Sequence, residues 1–203
     1  MKYISLDIET CGLNKDKHSI IQVGWVIDDL SELKPIEDLR RESFFVYNEN
    51  ICADINTIEW HKKNGLWDKW LDCRSLLPLG RIESELVKSI TEEFGLDHYL
   101  KNKINFAGKN LAGFDIPFLS NGSIAFKQFF DKKASHRVIS PDEYFFDLTK
   151  DEVKPSLQEC KRRAGFEDTE VTHEALDDAL DVVRLIRWKY NRQLEDIPVA
   201  HER

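Results

Sequence analysis

The sequence predicts one α/β domain, and three observations carry that prediction. Three early segments, residues 3–9, 19–27 and 43–47, are apolar in alternation or in continuous β-branched runs, each bounded by polar or turn-forming residues. Further on, Ile82, Leu86, Ile90 and Phe94 recur every four residues, the spacing of one helix face. Beyond them helical and strand patterns alternate, the order from which layered α/β domains are built. A chain of 203 residues is long enough to bury one sizeable core of this kind.

Taken in order, Tyr3-Ile4-Ser5-Leu6-Asp7-Ile8-Glu9 reads as a strand broken by Cys11-Gly12-Leu13-Asn14. Residues 19–27 read as a core strand and 43–47 as a third, together able to form an antiparallel meander. A weakly periodic helix is expected over about 56–70 and a stronger one over about 82–100. Residues 103–108 return to a strand, and 114–119 start a helix. Residues 137–139 and 144–146 are short strand candidates, with loop as the other reading. Pro155 suits the first turn of a helix entered at 155–160. Thr172 suits the N-cap of a long helix over 174–190, whose buried face would carry Leu176, Ala179, Leu180, Val183 and Ile186. The stretch after Arg192 is expected to fray. No repeat, linker or low-complexity segment interrupts residues 1–203.

Composition narrows the function classes. Apolar residues make up 41% and charged residues 33%, as in folded globular proteins rather than disordered ones. No apolar run approaches the ~20 residues of a membrane span, and the first residues lack the apolar core of a signal peptide, so no membrane partner is expected. Cys11, Cys52, Cys73 and Cys160 form no CxxC pair, which suits reduced thiols in a cytoplasmic protein. A net charge of −8 argues against a broad basic face for gripping duplex nucleic acid. It is compatible with an enzyme that holds a few terminal nucleotides through metal ions.

The carboxylates carry the chemistry. Asp7 and Glu9 stand two apart on an apolar strand, so both point to the same face. Their repulsion is relieved either by solvent at an edge or by a divalent cation, and hard oxygen donors suit magnesium or manganese. Asp115 sits inside the apolar stretch Phe114-Asp115-Ile116-Pro117-Phe118-Leu119, where it is either a helix N-cap or a ligand. His173 and Asp178 are five apart, rotated by roughly 140° on a helix, so they do not share a face. That places His173 at or before the helix start and Asp178 on the helix, an arrangement suited to a mobile general base beside a fixed ligand. Asp177 competes with Asp178, and spacing alone does not choose between them.

The order Asp7-Ile8-Glu9-Thr10-Cys11-Gly12-Leu13, then Asn110 to Phe114-Asp115, then His173-Glu174-Ala175-Leu176-Asp177-Asp178-Ala179 resembles the three motifs of the DEDDh 3′→5′ exonucleases. That family includes the proofreading exonucleases of bacterial replicative polymerases, oligoribonuclease and ribonuclease T. The resemblance spans nearly the whole chain. Two departures stand out: Gln22 occupies a position where Glu is commoner, and Cys11 one where Thr is frequent. The resemblance implies a ribonuclease H-like fold, a five-stranded mixed sheet flanked by helices. It implies that Asp7, Glu9, Asp115 and Asp178 hold two divalent ions, Mg²⁺ or Mn²⁺, and it prefers Asp178 to Asp177. His173 would be the catalytic base that deprotonates the attacking water, with Glu9 assisting one ion directly or through water. The product would be a nucleoside 5′-monophosphate.

Substrate contacts implied by the same motifs are Thr10, Gly12, Leu13, Asn110 and Phe114. The segment Asn56-Thr57-Ile58-Glu59-Trp60-His61 is similar to a T-I-x-W-W element of some phage and bacterial exonucleases, with His61 in place of the second Trp. Trp60 there either stacks on a base or anchors the core. The expected partner is a single-stranded or short nucleic acid with a free 3′ end, RNA or DNA, bound by a monomer or homodimer. Two other readings share these residues: a catalytically silent binding module, distinguished by metal binding without turnover, and a polymerase-associated proofreading exonuclease. The short stretch after Arg192 leaves little room for the tether the latter would use.

Overall fold

The computed structural model describes residues 1–195. Strands β1 (Lys2–Thr10), β2 (Ile20–Asp29) and β3 (Arg41–Phe45) form the antiparallel meander read from the sequence. Strands β4 (Ile104–Ala107) and β5 (Ala134–Ile139) add in parallel on the other side of β1. The order is β3-β2-β1-β4-β5, the five-stranded mixed sheet expected of a ribonuclease H-like fold.

Eight α-helices lie among the described residues: α1 (Ile55–Lys63), α2 (Leu66–Asp72), α3 (Leu79–Phe94), α4 (Leu96–Lys101), α5 (Asp115–Gly122), α6 (Ile124–Lys133), α7 (Leu157–Ala164) and α8 (Ala175–Glu195). Pleating assigns each a side of the sheet. The even residues of β1, Ile4, Leu6 and Ile8, pack with Ile82, Leu86 and Ile90 of α3 and Phe126, Phe129 and Phe130 of α6. Tyr3 faces the other way, into a second cluster with Ala179, Val183 and Ile186 of α8 and Cys160 of α7. Asp7 and Glu9 share the odd register of Tyr3, so the strand delivers them to the α8 side.

Several boundaries differ from the sequence reading, each for a local reason. The helix expected over 56–70 is two helices, because Gly65 turns the chain at φ +76°. The helix over 82–100 is likewise cut after Phe94 by Gly95 at φ +86°, although its stripe of Ile82, Leu86, Ile90 and Phe94 is buried as expected. Helix α6 was missed; Phe126, Phe129 and Phe130 at helical spacing, behind the Ser123 cap that accepts from the Phe126 amide, were its signal. Residues 144–146 form no strand, since a one-turn helix over Pro141–Tyr144 runs into them. Pro155 lies before α7, whose cap is the Ser156 hydroxyl, accepting from the Glu159 amide. Helix α8 continues through Glu195; the rest of the tail expected to fray lies outside the described residues.

What brings α8 down onto the sheet is a missing side chain. Gly24 pairs across from Asp7 in the β1–β2 ladder. A Cβ built on Gly24 would stand 2.6 Å from the Leu176 amide nitrogen and 2.7 Å from the Ala175 carbonyl carbon. Those are backbone atoms of the first turn of α8 and cannot rotate away. Gly24→Ala is therefore expected to displace that turn and destabilise the protein by roughly 1–3 kcal/mol, the usual range for overpacking. Urea unfolding checks it, and an unchanged midpoint would mean that the contact is not tight.

Candidate active site

Three elements converge at the C-terminal end of β1. The strand presents Asp7 and Glu9, α5 begins at Asp115, and α8 carries Asp178 on its first turn. Asp115 is buried and its Oδ1 accepts the Ile8 amide at 3.1 Å, so it reaches across to β1 instead of capping its own helix. Asp178 is buried, whereas Asp177 is exposed and takes a 3.0 Å hydrogen bond from the Thr172 hydroxyl. That separates the two competing carboxylates. It also corrects the cap: the Thr172 side chain serves Asp177, and the Glu174 carbonyl accepts the first helical bond, from the Asp178 amide.

His173 precedes α8 in the left-handed region at φ +56°. One potential ligand atom each of Glu9, His173 and Asp178 lie within 4.8 Å of one another. The turn around His173 is tied down by side chains distant in sequence. The Gln22 carbonyl oxygen accepts the Ala175 amide at 3.0 Å, occupying an N–H that the helix start leaves free. Lys69 of α2 pairs with the Glu174 carboxylate. The Trp60 ring stands edge-on to the His173 ring with centroids 4.3 Å apart. Trp60 is 38% exposed, which overturns its reading as a core anchor and makes it a wall beside the histidine.

The carboxylates of this cluster are buried together and repel one another. Burial, then repulsion from Asp115, Asp178 and Glu9, pushes the Asp7 carboxyl well above the usual carboxylate range. Glu9 is pushed up to about 9, by burial first and then by Asp178, Asp115 and Glu174. Asp115 is raised by burial against the opposing pull of two backbone amides, and Asp178 by burial and then Asp181 and Asp177. One oxygen of Asp178, Oδ1, is buried without a hydrogen-bond partner. A buried acceptor in that condition costs about 1–3 kcal/mol unless something binds it. An all-oxygen donor set with an orphaned oxygen and unrelieved mutual repulsion fits a hard divalent ion of the magnesium or manganese kind. Burial and the neighbouring His61 lower the pKa of His173, which favours its neutral, proton-accepting form.

A cleft of about 460 Å³ opens beside Glu9, lined by Thr10, Gly12, Leu13, Thr57, Trp60, His61 and Phe114. A second cavity of about 620 Å³ adjoins it across Leu13, Thr57 and Phe114 and continues to His18 and Lys15. Leu13 is 85% exposed, an apolar side chain left in solvent at the junction of the two. Gly12, at φ +152°, is pressed so closely against the His18 ring that a Cβ would lie 2.2 Å from it. Asn110 lines neither cavity; it holds the left-handed position, φ +58°, of the turn that leads into α5. His61 is the residue the sequence reading undervalued. It is buried, and its Nε2 lies 2.8 Å from the Thr10 carbonyl. Since a carbonyl only accepts, Nε2 carries the proton.

A mixed five-stranded sheet of this order, flanked by helices, is a ribonuclease H-like fold. No family model matches the chain, and no curated protein matches it by sequence. Among solved structures the fold is similar to Pop2p of S. pombe in its Mg²⁺- and Mn²⁺-bound form, with 16% identity over 96% of this chain and 84% of that one, TM-score 0.65. It is similar to the RNase domain of the yeast Pop2 protein, with 14% identity over 97% and 79% of the two chains, TM-score 0.68. Zinc-bound E. coli exonuclease I in complex with single-stranded DNA matches at 13% identity and TM-score 0.61, over 95% of this chain but 41% of that one. No helix among the described residues is long and apolar enough to cross a membrane.

Proposed function

We propose that this protein is a divalent-metal-dependent 3′→5′ exonuclease that releases nucleoside 5′-monophosphates from single-stranded or short RNA or DNA ends. The observation that carries this reading is the cluster in which Glu9, His173 and Asp178 bring one ligand atom each within 4.8 Å, Asp7 and Asp115 lie close enough to repel their carboxylates, and one Asp178 oxygen is left unpartnered. Similarity of fold to RNase and exonuclease structures, one of them bound to Mg²⁺ and Mn²⁺ and another to single-stranded DNA, supports it.

The four carboxylates would hold two ions, which supply Lewis-acid activation of water and neutralise charge on the scissile phosphate. The other roles belong to the chain itself. His173, held neutral by burial, takes the proton of the attacking water. Trp60 and the Gln22–Ala175 hydrogen bond keep its ring over the site. Leu13 and Phe114 line the cleft and offer apolar surfaces to the terminal base, with Thr10 and Gly12 beside them in its lining. The net charge of −8 favours short or single-stranded ends, because nothing in the composition supplies a long basic track. We place the reaction in the cytoplasm, where all four cysteines remain free thiols as the structure has them.

The test is a time course on 5′-labelled RNA and DNA oligonucleotides of several lengths with Mn²⁺, Mg²⁺ or EDTA. A ladder shrinking by single nucleotides from the 3′ end, abolished by EDTA, is expected, and its relative rates identify the preferred sugar and length. Folded protein that binds Mn²⁺ yet cleaves no oligonucleotide would replace this reading with that of a silent binding module.

A further inference from the structure

One buried charge lies outside the carboxylate cluster yet touches the segment that carries His173. Lys161 of α7 is 1% exposed, and its Nζ donates to two acceptors. One is the Asp181 carboxylate of α8 at 2.6 Å; the other is the Glu170 backbone carbonyl, also at 2.6 Å. Asp181 is itself buried, with Arg184 at 3.1 Å from its other oxygen. Burying an ammonium and a carboxylate is expensive, and apolar replacements of such pairs are often neutral or stabilising. Stability alone therefore does not account for the pair. The second acceptor points elsewhere.

Glu170 lies in the irregular segment between α7 and α8, three residues before His173. Among the described residues, the Lys161–Glu170 bond is the only hydrogen bond from residues 167–171 to another element. Asp181 lies three residues after Asp178, hence next to it on the helix surface. A left-handed, non-glycine residue such as His173 persists only where its surroundings over-determine it. Gln22 and Lys69 secure the downstream side of that turn; on the upstream side Thr172 bonds Asp177 and Val171 packs on the core, while Lys161 supplies the hydrogen bond that ties Glu170 to another element. We infer that Lys161 is a positioning residue: by bridging the Glu170 carbonyl and the Asp181 carboxylate, it sets the His173 segment against the helix that carries Asp178. This inference rests on the proposed hydrolytic role of His173.

The test is the double variant Lys161→Met/Asp181→Leu, which removes both charges and leaves neither buried alone. The melting temperature is expected to stay near the wild-type value, and calorimetric titration with Mn²⁺ alone to give unchanged binding. Amide exchange in residues 170–174 should accelerate. On oligonucleotide, kcat should fall roughly 10²-fold, as small misplacements at a reacting centre produce, with KM little changed. A native kcat with native exchange protection would overturn the inference. If the wild-type protein has no nuclease activity, the proposed function fails, and exchange in residues 170–174 still decides whether Lys161 orders the segment. Should the double variant not fold, Lys161→Gln, whose shorter amide cannot span both acceptors, is expected to show the same selective loss of kcat; native turnover in that variant would overturn the inference equally.

Discussion

Asp7→Asn is expected to reduce nucleotide release by about 10³–10⁴-fold or more while making the ion-free protein more stable. The first effect follows from the place of Asp7 among Asp115, Asp178 and Glu9, each of which repels it. A neutral amide cannot hold an ion as a carboxylate does, and the transition state loses several kcal/mol of charge stabilisation. The second effect comes from the same repulsion. Without ions the folded protein binds protons at these carboxylates more tightly than the unfolded chain does. The stability these groups contribute is therefore fully present at acid pH and is lost as pH rises from 4.5, the ordinary value for Glu9, toward its folded value of about 9. Relieving even a tenfold excess in proton affinity is worth about 1.4 kcal/mol. For a chain of this size that raises the melting temperature by roughly 3–5 °C at pH 8 in EDTA. Thermal melts in EDTA and Mn²⁺, beside the oligonucleotide time course, read both effects. Retained cleavage would remove Asp7 from the site, and an unchanged melt in EDTA would mean that the carboxylates do not repel one another.

His173→Asn is expected to slow turnover at neutral pH by roughly 10²–10⁴-fold, the usual contribution of a general base. Asparagine is the informative substitution because it is at ease in the left-handed conformation that His173 adopts at φ +56°, where alanine would add backbone strain. Burial and His61 lower the pKa of His173 from its ordinary 6.5, so the base form predominates above that value. The acid limb of the wild-type rate profile should accordingly fall below pH 6.5, and the Asn variant should lose that limb. Titration with Mn²⁺ separates two roles open to a histidine whose ring nitrogen is near Glu9 and Asp178. Unchanged affinity assigns His173 to the proton; affinity lowered tenfold or more would make it an ion ligand and move the base elsewhere.

Some of this site was legible because its signals are local. Period-two pleating alone puts Asp7 and Glu9 on one face, and i, i+5 spacing alone separates His173 from the face of Asp178. Three motifs in order along the chain tied those residues to Asp115. The apolar stripe of α3 was equally plain, being a property of one segment. Other features were hidden because their meaning lies in a partner far along the chain. Gln22 looked like a departure from a pattern until its side chain was found capping α8, 153 residues away. Trp60 was ambiguous between base and core, and only its neighbour His173 showed it to be a wall of the site. Asn110 is set in a turn by its own backbone, with its side-chain oxygen close against Gly113 at the edge of the larger cavity.

By itself, then, the sequence determined the α/β class of fold and the strand that carries two carboxylates to one face, while four acidic residues and one histidine became candidates through the resemblance of its ordered motifs to a known family. Hydrophobic periodicity and residue spacing are written in adjacent positions and need no third dimension. The tertiary structure buried Asp178 and left Asp177 exposed, took Asp115 from cap to cross-strand partner, and bound the His173 turn with Gln22, Trp60, Lys69 and Lys161. Those decisions rest on burial, repulsion and hydrogen bonds between groups separated by tens of residues. Such terms exist only once the chain has folded and water has been excluded from between them.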